Sequence, residues 1–442
     1  MTTDAKATRP PCTRCKERDG VLDLRSDAAC EACFTAYVAS KTLKRLGVLQ
    51  RETRGSKLPL RPQRYLLALS RGPSSTALLH ILSENVRRQR ERHQRVNFEL
   101  VPVFVDVDLD IAVGAGTTTA SDPVPSDRTA DASSSPNTST GASDETTEPP
   151  DAFAARFPEL TIHKVPLSSI LSSQKIDWSS LPAQDPSLPP SQRLADLFSR
   201  LSSASARADV SRLLTRHALF AAAAAHHCEV VLLGYNTTSL AELTLTEVAK
   251  GRGFGVPWLV NDGAFPLPRA VDPTEGSSTD LASNDSMIHI YSPLREIFRT
   301  EILTYLSIIS SAAGPLMDLF PASLSSSASS RHTAAVVSHR DLSLDDVLAR
   351  YFVDVEASYP SVVANVVKTT GKLNRTIQTD IDMVGRQCGL CGGGLDPLGD
   401  KRWKGEIGEP EATTSSPADE NGDARARKKS VLCYGCERSV KG

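Results

Sequence analysis

Cysteine placement is the strongest constraint on the fold of this 442-residue sequence. Eight of the nine cysteines occur as four Cys-x-x-Cys pairs, two before residue 34 and two after residue 387. Each pair places two thiolates on one side of a tight turn, and zinc needs four ligands in a tetrahedron, so two pairs complete one structural site. We therefore predict two structural zinc sites, formed by Cys12, Cys15, Cys30 and Cys33 and by Cys388, Cys391, Cys433 and Cys436.

The two predicted sites differ in spacing. Fourteen residues separate the first two pairs, close to the usual zinc-ribbon spacing, whereas 41 residues separate the last two. Most of the longer gap is a polar stretch, and a flexible insertion costs little because loop-closure entropy grows only logarithmically with length. Redox Cys-x-x-Cys motifs, which usually occur singly, and one site combining cysteines from both ends are the alternatives.

The rest of the composition limits the class of protein. No run of eighteen apolar residues predicts a membrane span, and the first residues lack the apolar segment of a secretory signal. We therefore expect a reducing compartment, where cysteines act as metal ligands or thiols rather than disulfides. The formal net charge of −2 means that any nucleic-acid binding must come from local basic patches.

Between the cysteine pairs, apolar strand-like runs alternate with helical patterns. The runs are rich in Val, Ile and Leu and lie at 65–69, 99–105, 160–165, 229–234 and 287–292. Strands that alternate with helices indicate βαβ units, so we predict an α/β fold whose parallel sheet is covered on both faces. Cys228 follows an alanine-rich helical pattern, and we expect it to be a small buried hydrophobe.

These patterns divide the sequence into four parts: a zinc ribbon at 1–40, a basic connector at 41–64, an α/β domain at 65–380 and a second zinc ribbon at 381–442. Four polar stretches hold too few large apolar side chains to offset the entropy cost of ordering them. We predict that these stretches are disordered insertions on loops, at 112–150, 271–285, 322–331 and 405–428.

The first strand-like run leads into the loop SRGPSS (70–75) and then into a helical pattern. Backbone N–H groups of such a loop, with the helix dipole behind them, attract phosphate. A strand, a glycine loop and a helix are weak evidence alone. The alternative is a structural turn in which Ser74 or Ser75 caps the helix.

Five landmarks in order carry a family resemblance: the first cysteine pairs, SRGPSS, LLGYNTTSLAE (232–242), YSPLREI (291–297) and the last cysteine pairs. Together they resemble the tRNA 2-thiolation enzymes of the ATP-pyrophosphatase (PP-loop) superfamily. The resemblance covers the chain outside its polar stretches. It implies a PP-loop ATP-pyrophosphatase-like core with zinc ribbons on both sides.

The sequence departs from the active members of this family at their catalytic motifs. Their nucleotide loop reads SGGxDS, whereas here Arg71 replaces a glycine and Ser74 replaces the acid; Ser70, Gly72 and Ser75 are retained. A bulky residue at a glycine position hinders close approach of the backbone to phosphate, which argues against ATP binding by this loop.

Two further departures concern the second motif and the cysteines. The GHNADDxAE-like segment reads GYNTTSLAE here and has lost both aspartates. Active members also use cysteines inside the α/β domain to carry sulfur or hold an iron–sulfur cluster. Here Cys228 is the only cysteine between Cys33 and Cys388, and one thiol cannot replace three.

The resemblance is therefore to a degenerate, non-catalytic paralogue within this family. It implies a cytoplasmic, tRNA-binding subunit that forms a heterodimer with a catalytic thiouridylase paralogue. The complex would convert wobble uridine 34 of the Lys, Glu and Gln tRNAs to its 2-thio form (mcm5s2U), with sulfur from a thiocarboxylated ubiquitin-like modifier. The alternatives are an active ATP-dependent thiouridylase, which the lost motifs oppose, and a zinc-ribbon protein of transcription or ubiquitin transfer, which the long α/β core opposes.

Two basic segments are candidates for contacting tRNA phosphates. Residues 41–64 carry eight cationic residues against one acid, Glu52, and residues 87–95 carry five arginines. Such charges on one face would bind RNA in a salt-dependent way, and the alternative is a solvated helix surface. The candidate contacts are Lys41, Lys44, Arg45, Arg51, Arg54, Arg87, Arg88 and Arg90.

Overall fold

The computed structural model describes residues 9–54, 62–93, 96–107, 152–267, 287–311, 314–321, 342–373, 387–395 and 432–441. The four polar stretches predicted to be disordered insertions lie outside these described residues. No helix in the described ranges is both long enough and apolar enough to cross a membrane.

The helices of the described ranges are α1 (Glu31–Arg54), α2 (Pro73–His93), α3 (Ala152–Arg156), α4 (Pro190–Ser199), α5 (Ala204–Ala225), α6 (Thr237–Ala249), α7 (Val256–Val260), α8 (Arg299–Ile308), α9 (Leu344–Ser358), α10 (Pro360–Thr370) and α11 (Tyr434–Lys441). The strands are β1 (Leu22–Leu24), β2 (Asp27–Ala29), β3 (Gln63–Ala68), β4 (Phe98–Asp106), β5 (His163–Pro166), β6 (Val230–Leu232), β7 (Gly263–Pro266), β8 (Met287–Tyr291), β9 (Ser310–Ser311) and β10 (Gly314–Pro315). Short 3₁₀ segments of three to six residues connect several of them.

A six-stranded sheet of order β5-β4-β3-β6-β8-β7 forms the centre of the fold. Its first five strands in this order pair in parallel, and β7 pairs antiparallel to β8 at one edge. Each of the five predicted strand-like runs contributes one of the parallel strands, which confirms the α/β prediction. The edge strand β7 was not predicted.

Alternate side chains of the strands face two separate cores, as the two-residue period of a strand requires. Leu66 and Val231 pack on one face with helices α4 and α5 and with the C-terminal cysteines. Tyr65, Leu67 and Leu232 pack on the other face with helices α1, α2 and α8. The two cysteine modules therefore lie on opposite faces of the sheet.

Helix α1 joins the N-terminal cysteines to the α/β core. It begins directly after Cys30 and continues without a break to Arg54. The boundary predicted after residue 40 falls inside this helix, so the basic segment 41–64 begins as its second half. Helices α6, α7, α9 and α10 form a third apolar cluster at the side of the sheet.

Candidate metal centres and degenerate nucleotide loop

The N-terminal cysteines converge between a tight turn and the start of helix α1. All four Sγ atoms lie within 4.8 Å of one another, and those of Cys15 and Cys30 are 3.9 Å apart. The backbone N–H of Lys16 closes the turn by donating to the Cys12 carbonyl at 2.9 Å. Hydrogen bonds from the backbone of Cys15 and Cys30 lower the pKa of Cys12 to about 6, which favours the thiolate that a metal requires.

The C-terminal cysteines form a second and more deeply buried group. Their four Sγ atoms also lie within 4.8 Å of one another, with Cys391 and Cys433 3.8 Å apart. The Cys433 N–H donates to the Cys388 Sγ at 3.2 Å, an interaction that stabilises a thiolate. Each group is thus built from neighbouring pairs, as predicted, and the single site combining both ends of the chain is excluded.

Both groups fit a single tetrahedral ion. Four sulfurs held at about 2.3 Å from one zinc ion lie about 3.8 Å from each other. One Sγ–Sγ pair is separated by 3.9 Å in the N-terminal group and one by 3.8 Å in the C-terminal group. An iron–sulfur cluster distributes its thiolates over different iron atoms and therefore holds them farther apart. The described residues thus contain two four-cysteine groups able to hold a metal ion.

A buried ionic network joins the C-terminal cysteine group to the α/β core. Arg252 donates to Asp209 at 2.6 and 2.9 Å and to Glu247 at 2.7 and 3.1 Å. Its guanidinium also lies 3.9 Å from the Cys436 Sγ, and the Ser439 hydroxyl donates to Asp209 at 2.7 Å. This network therefore connects helix α11 to helices α5 and α6.

Asp209 is the centre of this network. Burial raises its pKa, but the charges of Arg252, Arg212 and Lys250 outweigh burial and hold the pKa well below its usual range. Lys250 bridges Asp209 at 3.0 Å and Asp345 at 2.7 Å. No pattern in the sequence predicts this network, because its members are distant in the chain and none belongs to a motif.

A second contact fixes the C-terminal turn. His217 on α5 donates its Nε2 hydrogen to the backbone oxygen of Leu390 at 2.7 Å, between the first two cysteines of the group. Burial lowers the pKa of His217, so the ring is neutral when it makes this bond. The C-terminal cysteine group is therefore held on the core by His217 as well as by the Asp209 network.

The loop after β3 forms hydrogen bonds with itself. The Ser70 Oγ lies 3.1 Å from the Ser75 Oγ and accepts from the Gly72 N–H at 3.3 Å. The Ser75 hydroxyl donates to the Gly72 carbonyl at 3.0 Å. Helix α2 begins at Pro73, so the alternative in which Ser74 or Ser75 precedes and caps it is wrong.

Arg71 replaces the first glycine of the loop and adopts a φ of +57°, in the left-handed region that favours glycine. Its guanidinium carbon lies 4.1 Å from the centre of the Phe104 ring and 5.7 Å from that of Phe153. These are cation–π distances, so the Arg71 side chain packs against strand β4 and helix α3.

The loop meets segment 234–242 where the strand order reverses, because β4 and β6 flank β3 on opposite sides. Ligands of open parallel sheets bind in the crevice at such a point, outside the carboxyl ends of the strands. Here Asn236 Nδ2 donates to the Ser74 Oγ at 2.9 Å. A Cβ on Gly234 would lie 3.0 Å from the backbone N and Cα of Ser75, so the two segments are already in close contact.

Cys228 is half-buried beside the same core as the C-terminal cysteines. Burial raises its pKa to about 11, so the thiol is protonated at neutral pH. A protonated thiol is a poor nucleophile and a poor metal ligand.

The predicted RNA-contacting residues lie on helices α1 and α2. Arg45 is 2.6 Å from Asp262, and Lys41 is 3.5 Å from Glu296, so both pair with acids of the core. The others whose side chains are described are exposed: Lys44, Arg51, Arg87, Arg88 and Arg90. Arg87 and Arg88 lie 2.7 and 3.8 Å from Glu84, and the side chain of Arg54 lies outside the described part.

Comparisons with known proteins agree on a family. The family model for "Cytoplasmic tRNA 2-thiolation protein 2" matches residues 343–438. The protein of that name from Sclerotinia sclerotiorum is 34% identical over 361 residues, covering 80% of this chain and 80% of the relative. The one from Phaeosphaeria nodorum is 31% identical over 442 residues, covering 98% of this chain and 95% of the relative.

Among solved structures, the U34-tRNA thiolase NcsA from Methanococcus maripaludis, with its [4Fe-4S] cluster, aligns with 92% of this chain and 99% of its own. Its TM-score is 0.45 and its sequence identity 13%. The family assignment rests on the sequence relatives, which match the chain over most of its length. Their identity and coverage show that the chain belongs to the cytoplasmic tRNA 2-thiolation protein 2 family.

Proposed function

We propose that this chain is a non-catalytic, tRNA-binding subunit of the cytoplasmic complex that 2-thiolates tRNA. Its partner in this proposal is a catalytic thiouridylase paralogue, with which it forms a heterodimer. The target is wobble uridine 34 of the Lys, Glu and Gln tRNAs, and the sulfur comes from a thiocarboxylated ubiquitin-like modifier. The family and the names of its members support tRNA 2-thiolation as the process.

The hydrogen bonding of loop 70–75, within itself and to Asn236, supports the non-catalytic part of the proposal. Adenylation of the uridine oxygen, the first step that the family resemblance implies, needs backbone donors aimed at ATP phosphates. In this loop the Gly72 N–H donates to Ser70, the Ser75 hydroxyl donates to Gly72, and Ser74 accepts from Asn236. The Gly72 N–H and the hydroxyl groups of the three serines are therefore engaged in hydrogen bonds within the protein.

The second step, transfer of sulfur, supports the same assignment. It requires a thiolate or a cluster at the base, and the α/β domain supplies only Cys228. With a pKa of about 11, that thiol is ionised in about one molecule in ten thousand at pH 7. These properties oppose the alternative of an active thiouridylase.

We further propose that each four-cysteine group holds one structural zinc ion. All four ligand positions come from cysteines, which leaves no position for a substrate or a water. Zinc in the first group would stabilise the start of helix α1, and zinc in the second would hold α11 against Asp209 and Arg252. The metal therefore orders surfaces on both faces of the sheet.

Reconstitution tests the proposed role. The full chain is incubated with tRNA, ATP and a thiocarboxylated modifier, alone or with the catalytic paralogue, and thiolated tRNA is quantified on a mercury-containing gel. We expect no product from this chain alone and product from the pair. Thiolation by this chain alone would contradict the proposal, and so would full activity of the paralogue in its absence.

A further inference from the structure

A cavity of about 710 Å³ lies between helix α1, the loop after β8 and helix α10. Residues 70–75 do not line it, although Thr237 of the adjoining segment 234–242 does. Its wall contains three carboxylates and six cationic side chains, which are Arg25, Lys41, Arg45, Arg295, Lys368 and Lys372. The cavity therefore carries an excess of positive charge.

Asp262 holds two of the cations in place. One of its carboxylate oxygens lies 2.6 Å from Arg45 Nη2 and 3.0 Å from Arg295 Nη1, and the other accepts from the Ser292 N–H at 3.0 Å. Two guanidinium groups thus share one carboxylate. The buried Nε of Arg45 has no hydrogen-bond acceptor among the described residues.

The other two carboxylates of the wall are also engaged. Glu296 lies 3.5 Å from Lys41 and 3.9 Å from Arg45, and Glu52 accepts from the Tyr291 hydroxyl. Arg25 pairs at 2.7 Å with Glu301, which lies outside the wall. Of the six cations, the two lysines at 368 and 372 are therefore left without a carboxylate partner in the described part of the chain.

Lys368 and Lys372 stand four residues apart at the C-terminal end of α10, and both are exposed. Within the described ranges, neither lysine has a carboxylate within 4.0 Å. Their charge is therefore available to a ligand in the cavity.

We propose that this cavity binds a backbone phosphodiester of tRNA. Its volume is in the range that accommodates a nucleotide-sized group, and the fork of an arginine matches phosphate oxygens. Exposed cations continue beyond the cavity along helix α1, at Lys44 and Arg51, which favours a long polyanion over a small free one. The inference rests on the proposed tRNA-binding role and assigns it a place.

The test compares two double variants of the full, zinc-loaded chain. Lys368→Ala with Lys372→Ala removes the uncompensated lysines of the cavity. Lys175→Ala with Lys441→Ala removes two exposed lysines beside the core on the other face of the sheet, next to Ile176 and Val440. Zinc content and melting temperature confirm that all proteins are folded.

Binding to labelled tRNA is measured by fluorescence anisotropy over a series of salt concentrations. Each phosphate contact contributes about 0.7 (single strands) to 0.9 (duplex DNA) to the slope of log K against log salt, which corresponds to about four- to fivefold in affinity at about 0.15 M salt. We expect the cavity variant to bind tRNA at least about fourfold more weakly, with a slope reduced by about 1. We expect the control variant to match the wild type.

The outcomes separate this inference from the proposed function. If the wild type binds tRNA and the cavity variant binds equally with the same slope, the inference is wrong and the tRNA-binding role stands. If the wild type does not bind tRNA, alone or with its partner, both are wrong. If the cavity variant loses binding of millimolar inorganic phosphate or ATP but binds tRNA with the affinity and the salt slope of the wild type, the cavity is a small-anion site and the RNA assignment is overturned.

Discussion

Replacing Asp209 with Asn is expected to destabilise the protein strongly, because the carboxylate is fully buried at the centre of an ionic network. Its side chain is 0% exposed and contacts Arg252, Arg212, Lys250 and Ser439 at 2.6–3.0 Å. Asn keeps the shape of the side chain but removes its charge. Removing one partner of a buried ionic group typically costs about 3–5 kcal/mol, since the remaining charges lose their compensation.

This loss of stability corresponds to a melting temperature lower by about 6–20 °C. The conversion is about 2–4 °C per kcal/mol, the range for domains of about 150–250 residues. The matched control is Asp345→Asn. Asp345 is 31% exposed and pairs with Lys250 at 2.7 Å, so its loss should cost no more than about 1 kcal/mol. Thermal melts followed by circular dichroism measure both, and zinc release to a chelator reports whether the C-terminal group loosens with Asp209→Asn.

The stability difference between the wild type and Asp209→Asn should depend on pH, because the pKa of Asp209 is lowered in the folded protein. A carboxyl group whose pKa is lower in the folded state stabilises the fold above its unfolded pKa of about 3.9 and loses that contribution as the pH falls through the folded value. The difference between wild type and Asp209→Asn should therefore persist near pH 7 and shrink below about pH 4. Equal melting temperatures near pH 7, or equal losses in Asp209→Asn and Asp345→Asn, would refute this reasoning.

Three further predictions address the metal groups, the loop contact and a buried carboxyl. Cys12→Ser and Cys388→Ser should each lower zinc from two ions per chain to one by elemental analysis, because each group needs four thiolates; two ions in both variants would contradict the assignment. Gly234→Ala should lower stability by about 1–3 kcal/mol, because its Cβ would lie 3.0 Å from the neighbouring loop backbone, whereas Gly255→Ala, with nothing within 4 Å, should not; equal melts would refute it. Burial raises the pKa of Glu242 to about 7, so the wild type loses stability as the pH rises from about 4 to about 7. The stability of Glu242→Gln relative to the wild type, measured by urea unfolding, should therefore rise by about 1–3 kcal/mol between pH 5 and pH 8. A stability difference that does not change with pH would contradict this.

The sequence predicts best what depends on local pattern. Each parallel strand is a short run of Val, Ile and Leu, because both faces of the sheet are covered and every position is apolar. The cysteine groups are predictable for a similar reason, since a Cys-x-x-Cys turn fixes two sulfurs without information from the rest of the chain. The departures at Arg71 and Ser74 are also visible in the sequence, because they fall inside a recognisable motif.

Contacts between distant segments are what the sequence does not predict. Strand β7, Gly263–Pro266, contains a glycine and a proline and forms because β8 supplies its hydrogen-bond partners. Asp209, Arg252 and Ser439 come together only after α5, α6 and α11 pack.

The free charge of a basic patch also depends on contacts between distant segments. The run of charges at 41–64 predicts a cationic surface, but only the fold shows that Arg45 pairs with Asp262. The lysines at 368 and 372 belong to no run of basic residues, so the sequence does not predict that they form a cationic surface.

The most direct test of the central claim is thiolation by the complex when the degenerate loop and the lone thiol of this subunit are removed. The variant carries Ser70→Ala, Ser74→Ala, Ser75→Ala and Cys228→Ala, is assembled with the catalytic paralogue, and is checked for assembly and tRNA binding. If this subunit is non-catalytic, thiolated tRNA should form at close to the wild-type rate. Full assembly and tRNA binding without thiolation would show that this subunit takes part in the chemistry and would contradict the account.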